Sequence, residues 1–325
     1  MPGRREFLQT FGLVSSAAIL SPRFAAAETY PNHPIKVLVA QAPAGAGDVT
    51  ARAIGEYLGQ RLGQAIVIDN KSGAGGIVAT EAAAQAAPDG YTLYLSSVAP
   101  IAIIPAVKPV RYDPRKDFAH ITISAVLPLV LAVHPDLPVN NVAELLTYAK
   151  QAPKPLTFAS SGIGSVTQLS GELMKTMAGI DMLHVPFRGS AQSTAALLSG
   201  EVQVAFSDSS ILTYAASGKV KALAVTTETR TAIAPAIPTL AESGLPGYAS
   251  YAWLGFSAPA GTPKPVVDRL YTELNAVMQI PELRKALVAR GIEPMSLTPE
   301  ATTKYIGDEI DKWAKLIKSA HLQFE

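Results

Sequence analysis

Cysteine is absent from the 325 residues, and with it go disulfides, thiol catalysis and thiolate metal sites. Histidine is scarce. The five side chains, at positions 33, 120, 134, 184 and 321, show no ligand spacing of the H-x-x-x-H kind. Charge is thin, at 16% of residues, and no Lys/Arg-rich run marks a footprint for nucleic acid. Beyond the first 27 residues no apolar run could cross a bilayer as a helix. What is present is 48% hydrophobic residues, enough for a well-filled core, and a length at which two domains are the default.

The N-terminus reads as an address. Arg4 and Arg5 precede Phe7-Leu8, a modest apolar segment runs from Phe11 to Leu20, and Ala25-Ala26-Ala27 fits an A-x-A cleavage site. The arginine pair favours the twin-arginine route over an ordinary secretory signal. Residues 1–27 are therefore expected to be a signal peptide, and the mature protein to be periplasmic. Loss of the leader takes the net charge from +1 to about −1.

The mature chain is organised around one stretch. The apolar run 35–40 predicts a strand buried on both faces. Pro43 ends it, a loop of Ala44, Gly45, Ala46 and Gly47 follows, and Asp48 opens a helix pattern over 48–62. A loop without large side chains lets a ligand touch backbone, and the next helix begins with unpaired N–H groups. Together they make an anion seat. The same grammar recurs: strands at 65–69, 91–95, 156–159, 182–185, 202–206 and 220–225 run into loops of small and hydroxyl residues, then helices. Alternation of this kind predicts an α/β fold with parallel sheets flanked by helices. In such sheets the strand-to-helix loops share the carboxyl edge, where ligands bind.

The apolar segment 121–133, broken by Pro128, is too long for one strand and suits a crossing between two domains. A strand at 253–258 is expected to bring the chain back. Ser165 with Gln168 matches a capping box, while Ser190, Thr262-Pro263 and Thr298-Pro299 are read as caps of later helices. Between Met278 and Thr298 the pattern assigns no element.

The loops admit more than one chemistry. Gly45-Ala-Gly47 after a strand, with Asp69 further on, resembles a dinucleotide fingerprint. Against it, Thr50 replaces the third glycine and Asp48 would meet the pyrophosphate. An exported NAD(P)-dependent oxidoreductase stays as one alternative, and a ligand-free βα turn as another. Ser160, Ser161, Thr167, Ser190 and Asp208 sit at second-half junctions, and Ser97 with Val98 at a first-half junction. Capping explains any one of these loops, but not the hydroxyls ahead of the cap. An opposed set of neutral donors suits a carboxylate. No G-x-S-x-G elbow or pair of acids supports catalysis, and His184 is expected to pack in the core.

A set of blocks runs along almost the whole mature chain: Tyr30-Pro31; Pro43 to Asp48 with Ala51-Arg52; Asp69 to Gly76; Ala87 to Leu93; Tyr112-Asp113-Pro114 with Lys116-Asp117-Phe118; Val133-His134-Pro135; Ala159 to Gly162; His184 to Ala191; and Ala258 to Lys264. Together they resemble the Bug family, periplasmic receptors of tripartite tricarboxylate transporters. The resemblance implies a two-lobed type II periplasmic-binding-protein-like fold with crossover strands as hinge. Residues 28–124 and 251–325 would form one lobe and 125–250 the other. It implies a monomer without cofactor or metal that binds a small carboxylate and serves a membrane permease. A carboxylate-sensing signalling receptor is the other outlet for the same binding. The ligand-binding set it implies is Ala44, Gly45, Ala46, Gly47, Asp48, Ser97 and Val98 from lobe one. Lobe two would add Ser160, Ser161, Thr167, Gly189, Ser190, Ala191 and Asp208. One departure stands out. The family usually has Pro-Gly-Gly-Gly-Thr-Asp in the first loop, and Gly47 replaces the hydroxyl here.

Overall fold

A computed structural model describes residues 30–322. The expected leader and its cleavage site lie outside them. Among the described residues the chain runs β1 (Ile35–Val39), α1 (Ala46–Leu62), β2 (Ile66–Asn70), α2 (Ile77–Ala84), β3 (Thr92–Ser97), β4 (Phe118–Leu127) and β5 (Val130–Val133). Next come α3 (Val142–Gln151), β6 (Leu156–Ser160), α4 (Val166–Ala178), β7 (Met182–Pro186), α5 (Ser190–Leu198), β8 (Val204–Ser207), α6 (Ile211–Ala216) and β9 (Lys221–Val225). The chain closes with β10 (Ala252–Pro259), α7 (Lys264–Met278), α8 (Pro281–Val288), β11 (Glu293–Pro294) and α9 (Pro299–Ser319). Helix α8 and the short β11 occupy the stretch to which the sequence pattern assigned nothing. Pro281 in its first turn and Gly291 just past its end are the signals that mark α8.

The strands form two sheets. One has six strands in the order β11-β4-β10-β3-β1-β2, the other five in the order β7-β6-β8-β5-β9. In the first, β1 pairs parallel with β2 and β3, while β10 runs antiparallel to β3 and β4. In the second, β6 pairs parallel with β7 and β8, while β5 runs antiparallel to β8 and β9. Each sheet is thus mostly parallel, with a reversed strand beside the third parallel one; the six-stranded sheet adds a second reversed strand, β11, at its edge. Helices cover both faces of each, as the apolar strand runs require. The fold is the expected two-lobed one.

The long apolar segment crosses from sheet to sheet. Strand β4 ends at Leu127, Pro128 interrupts pairing, and β5 begins in the other sheet at Val130. The return passes through Ser250 into β10, where Ala252 pairs with Leu127. Thr226 joins the two crossings. Its hydroxyl accepts the Leu129 N–H at 3.0 Å, its own N–H donates to the Leu129 carbonyl at 3.0 Å, and its carbonyl accepts the Ser250 N–H at 3.0 Å. Helix α4 also spans the joint. Its Val166, Leu169 and Leu173 pack with Trp253, Ile306 and Trp313 of the six-stranded side.

Two caps differ from expectation. Thr298 caps α9 through the Ala301 N–H, but Pro263 is the cap residue of α7 and Thr262 instead donates to the Pro259 carbonyl at 2.8 Å. Proline at the boundary removes an orphan donor, so no hydroxyl is needed there. Glu309, buried on α9, accepts from the indole N–H of Trp253 at 3.1 Å and of Trp313 at 3.0 Å, and pairs with Lys312. Lys312 in turn donates to the Ala249 carbonyl on the return crossing. Replacing Glu309 with Ala leaves two buried indole donors and a half-buried ammonium without their acceptor. Urea denaturation is expected to show a loss of about 3–5 kcal/mol.

Candidate functional site

A cleft of about 790 Å³ opens between the carboxyl edges of the two sheets. One wall carries Ala44, Ala46 and Val49 after β1, and the floor Leu127, Pro128, Leu129 and Ala252 from the crossings. The facing wall carries Ser161, Val166 and Thr167 after β6, Ser190 after β7, and Asp208, Ser209, Ser210 and Thr213 after β8. The turn Ala289 to Ile292 closes the rim.

On the first wall the loop is held from behind. Asp48 is buried, and its carboxylate accepts the Ala44 N–H at 2.9 Å and the Arg52 Nε at 2.9 Å. Arg52 also reaches Asn70, whose amide donates to the Gln41 carbonyl at 3.0 Å. The Arg52 guanidinium, together with the Ala44 N–H, holds the Asp48 carboxyl below the usual range. Ala44 sits at φ 67°, a left-handed conformation that costs an L-residue roughly 1–2 kcal/mol, and the bond to Asp48 offsets that strain. Asp48 therefore braces the loop and does not line the cleft. Gly45 and Gly47 are likewise set back. A Cβ on Gly47 would lie 1.9 Å from the Gln41 Oε1, so the Gln41 side chain occupies the space a side chain at 47 would need.

Helix α1 starts at Ala46 on Gly45, with no side-chain cap. Helix α5 starts at Ser190 on Gly189, also with no side-chain cap. Here the expectation that Ser190 caps α5 is corrected. Ser190 is the first helical residue, and its exposed hydroxyl faces solvent and cleft instead of its own helix. Gly189 can take this place because its φ is 107°. So one uncapped helix N-terminus from each lobe opens on the same cleft.

Between them lies a hydroxyl cluster. Thr167 Oγ1 accepts the Ser161 N–H at 2.9 Å and lies 3.0 Å from Ser161 Oγ and 2.8 Å from Ser165 Oγ. Ser165 caps α4 as expected, accepting the Gln168 N–H, but Gln168 reaches back to the Gly164 N–H and not to Ser165. Ser160 is fully buried beneath the loop. Its hydroxyl bridges to His184 Nε2 at 2.6 Å and to the Gly162 carbonyl at 3.1 Å. The His184 ring lies tilted 5.0 Å from that of Phe158, and burial, with Lys175 nearby, pushes its pKa down to about 4. The imidazole is neutral near pH 7 and orients the serine loop.

Of the residues expected at the site, Ala44, Ala46, Ser161, Thr167, Ser190 and Asp208 line the cleft. Ser97 and Val98 end β3 in the interior, with Val98 in the core beside Tyr94 and Ile101. Gly189 and Ala191 flank Ser190 without lining the wall. The floor residues and the rim turn 289–292 went unread, because chain reversals and strand ends bring them there, not a local motif. Among the described residues no group of His, Cys, Asp and Glu could hold a metal ion.

The family model described as "Tripartite tricarboxylate transporter family receptor" matches residues 50–322. The chain belongs to that family. Within it, Protein BugT of Bordetella pertussis is 34% identical over 308 residues, 94% of each chain. Among solved receptors, Rpa4515 of R. palustris with adipate is 34% identical with a TM-score of 0.74, covering 90% of this chain and 99% of that one. MatC of Rhodopseudomonas palustris with bound malate is 30% identical with a TM-score of 0.70, covering 89% and 100%. In this receptor, among the described residues, no helix is long and apolar enough to cross a membrane.

The Asp48 brace has a pH signature. A carboxyl whose folded pKa lies below its unfolded value of about 3.9 adds stability above that value and loses it as pH falls toward the folded pKa. Asp48→Asn is expected to be about 1–2 kcal/mol less stable at pH 7. The gap to wild type should close in urea titrations carried below pH 4.

Proposed function

We propose that the protein is a periplasmic solute-binding receptor that closes two lobes on a small organic carboxylate and hands it unchanged to a membrane permease. The observation that carries this reading is the pair of uncapped helix N-termini, one per lobe, opening on one cleft. Each presents peptide N–H groups and a partial positive charge to an anion. The Ser161, Thr167 and Ser190 hydroxyls add neutral donors on the second wall. Neutral bonds of ~0.5–1.5 kcal/mol each suit capture followed by release. Asp208 would take a hydrogen bond from a ligand hydroxyl or amine. The acids named with Rpa4515 and MatC, adipate and malate, support a carboxylate for this chain as well.

The lobe division that goes with this reading assigns 28–124 and 251–325 to one lobe and 125–250 to the other, with residues 1–27 as a twin-arginine leader. The receptor acts as a monomer and performs no chemistry on its ligand. The buried Ser160 hydroxyl, which no solute can reach in this conformation, is consistent with that. The ligand's middle would meet aliphatic walls. Among the described residues no aromatic ring lines the cleft: Trp253 is fully buried, and Tyr251 lines a separate cavity.

Native mass spectrometry of the purified protein is expected to release a small organic acid. With that acid, Ser161→Ala and Ser190→Ala should each weaken calorimetric affinity by ~1–3 kcal/mol while leaving the melting temperature within a degree or two. Unchanged affinity in both variants, or turnover of the acid, would sink the proposal.

A further inference from the structure

The turn after α8 brings to the cleft a positive charge that the other lining residues do not supply. Gly291, at φ +74°, lies so close to the facing lobe that a Cβ on it would sit 1.9 Å from the Ser209 hydroxyl. Two residues on, Glu293 accepts from the Thr231 hydroxyl and, at 3.4 Å, from the Ala232 N–H. The turn rides on the six-stranded sheet through the pairing of Glu293 with Val126. It is therefore a strap pinned across the lobe boundary at two points.

Arg290 stands next to the first pin and lines the cleft. Its Nη1 donates to the Ala286 carbonyl at 2.9 Å, which holds the side chain back against α8 and leaves the other guanidinium donors open. Among the described residues no carboxylate pairs with it. The neighbouring Arg52 is engaged by Asp48 and Asn70. Asp208, the other charged residue of the cleft wall, already accepts the Ser210 N–H at 2.9 Å. Between these groups the wall is aliphatic: Val49, Leu127, Leu129, Val166 and Ile292. At about 790 Å³ the cleft is larger than one carboxylate group needs.

We propose that Arg290 determines specificity at the far end of the ligand, by pairing with a second anionic group of the kind that adipate and malate, the acids named with Rpa4515 and MatC, carry. This rests on the carboxylate reading above. The uncapped helix ends and hydroxyls hold one carboxylate. The planar guanidinium, held at Nη1 by the Ala286 carbonyl, takes the second with its remaining N–H donors. Methylene groups between the two lie against the aliphatic wall. A monoacid of the same length would leave Arg290 without a partner.

The test uses the full mature chain as wild type, Arg290→Gln and Arg290→Lys. Each is titrated calorimetrically with succinate, glutarate and suberate, and with butyrate, valerate and octanoate as equal-length monoacids. Wild type is expected to bind at least one diacid more tightly than its monoacid. Arg290→Gln should weaken that diacid roughly 10- to 100-fold and leave the monoacid within about twofold, and Arg290→Lys should recover part of the loss. Because Arg290 is exposed, the melting temperature should not move. Equal weakening of diacid and monoacid, an unchanged diacid affinity, or a wild type that does not discriminate would overturn the assignment of Arg290 while leaving the carboxylate reading intact. Failure of wild type to bind any acid of either kind would remove the carboxylate reading and this assignment with it.

Discussion

A helix that begins on glycine has no side chain to satisfy its first peptide N–H groups, and water or a ligand must do so. Among the helices that begin that way are α1 on Gly45 and α5 on Gly189. They come from different sheets and open on one cleft. The rest of the structure holds these two ends in place and lets the gap between them be filled. The demand is electrostatic and unspecific: any small anion would answer it. Discrimination must come from what surrounds the two ends, namely the Ser161–Thr167–Ser165 hydroxyls, the aliphatic floor and the charges at the rim.

Rigidity is built in behind each seat. On the first wall, Asp48 and Arg52 brace a loop whose Ala44 sits in a strained left-handed conformation. On the second, the buried Ser160–His184 contact and the Ser165 cap give the serine loop its shape. Several residues that look like ligand contacts by composition are supports by geometry. Carboxylate and imidazole alike are satisfied by neighbours of the loop, so neither contributes an unpaired charge to the cleft. Preorganised donors lower the ordering entropy lost on binding, which matters when each bond is weak.

The joint between lobes is narrow and specifically tied. Thr226 clasps both crossings, Glu309 anchors the return strand through Trp253, and α4 lies with one face on each side. Such an arrangement favours sliding of packed helices together with bending at Pro128 and Ser250, the two modes by which packed lobes move. The strap from Gly291 to Glu293 adds contacts that exist only when the two sides are near each other.

Much was legible in the primary structure because it is local. The apolar runs name the strands, Pro128 marks the crossing, Ser165 and Thr298 mark helix starts, and the glycine-rich loops fall at the carboxyl edges of parallel strands. The family blocks added the two-lobed shape. The site was legible only in part. Ala44, Ala46, Ser161, Thr167, Ser190 and Asp208 follow from their loops, but whether a loop atom faces the cleft or its own backbone depends on partners far along the chain. Asp48 turned inward because Arg52 and a strained Ala44 stood ready for it. Ser97 is paired with Leu254 of β10, and Val98 packs in the core with Tyr94 and Ile101. Arg290 and Gly291 reached the cleft because β11 adds to the edge of β4, a pairing across more than a hundred residues that no local pattern announces. Local periodicity determines which segments are strands, helices and loops; the direction in which a loop spends its donors is decided by tertiary packing, since a hydrogen bond has one partner and packing chooses which is nearest.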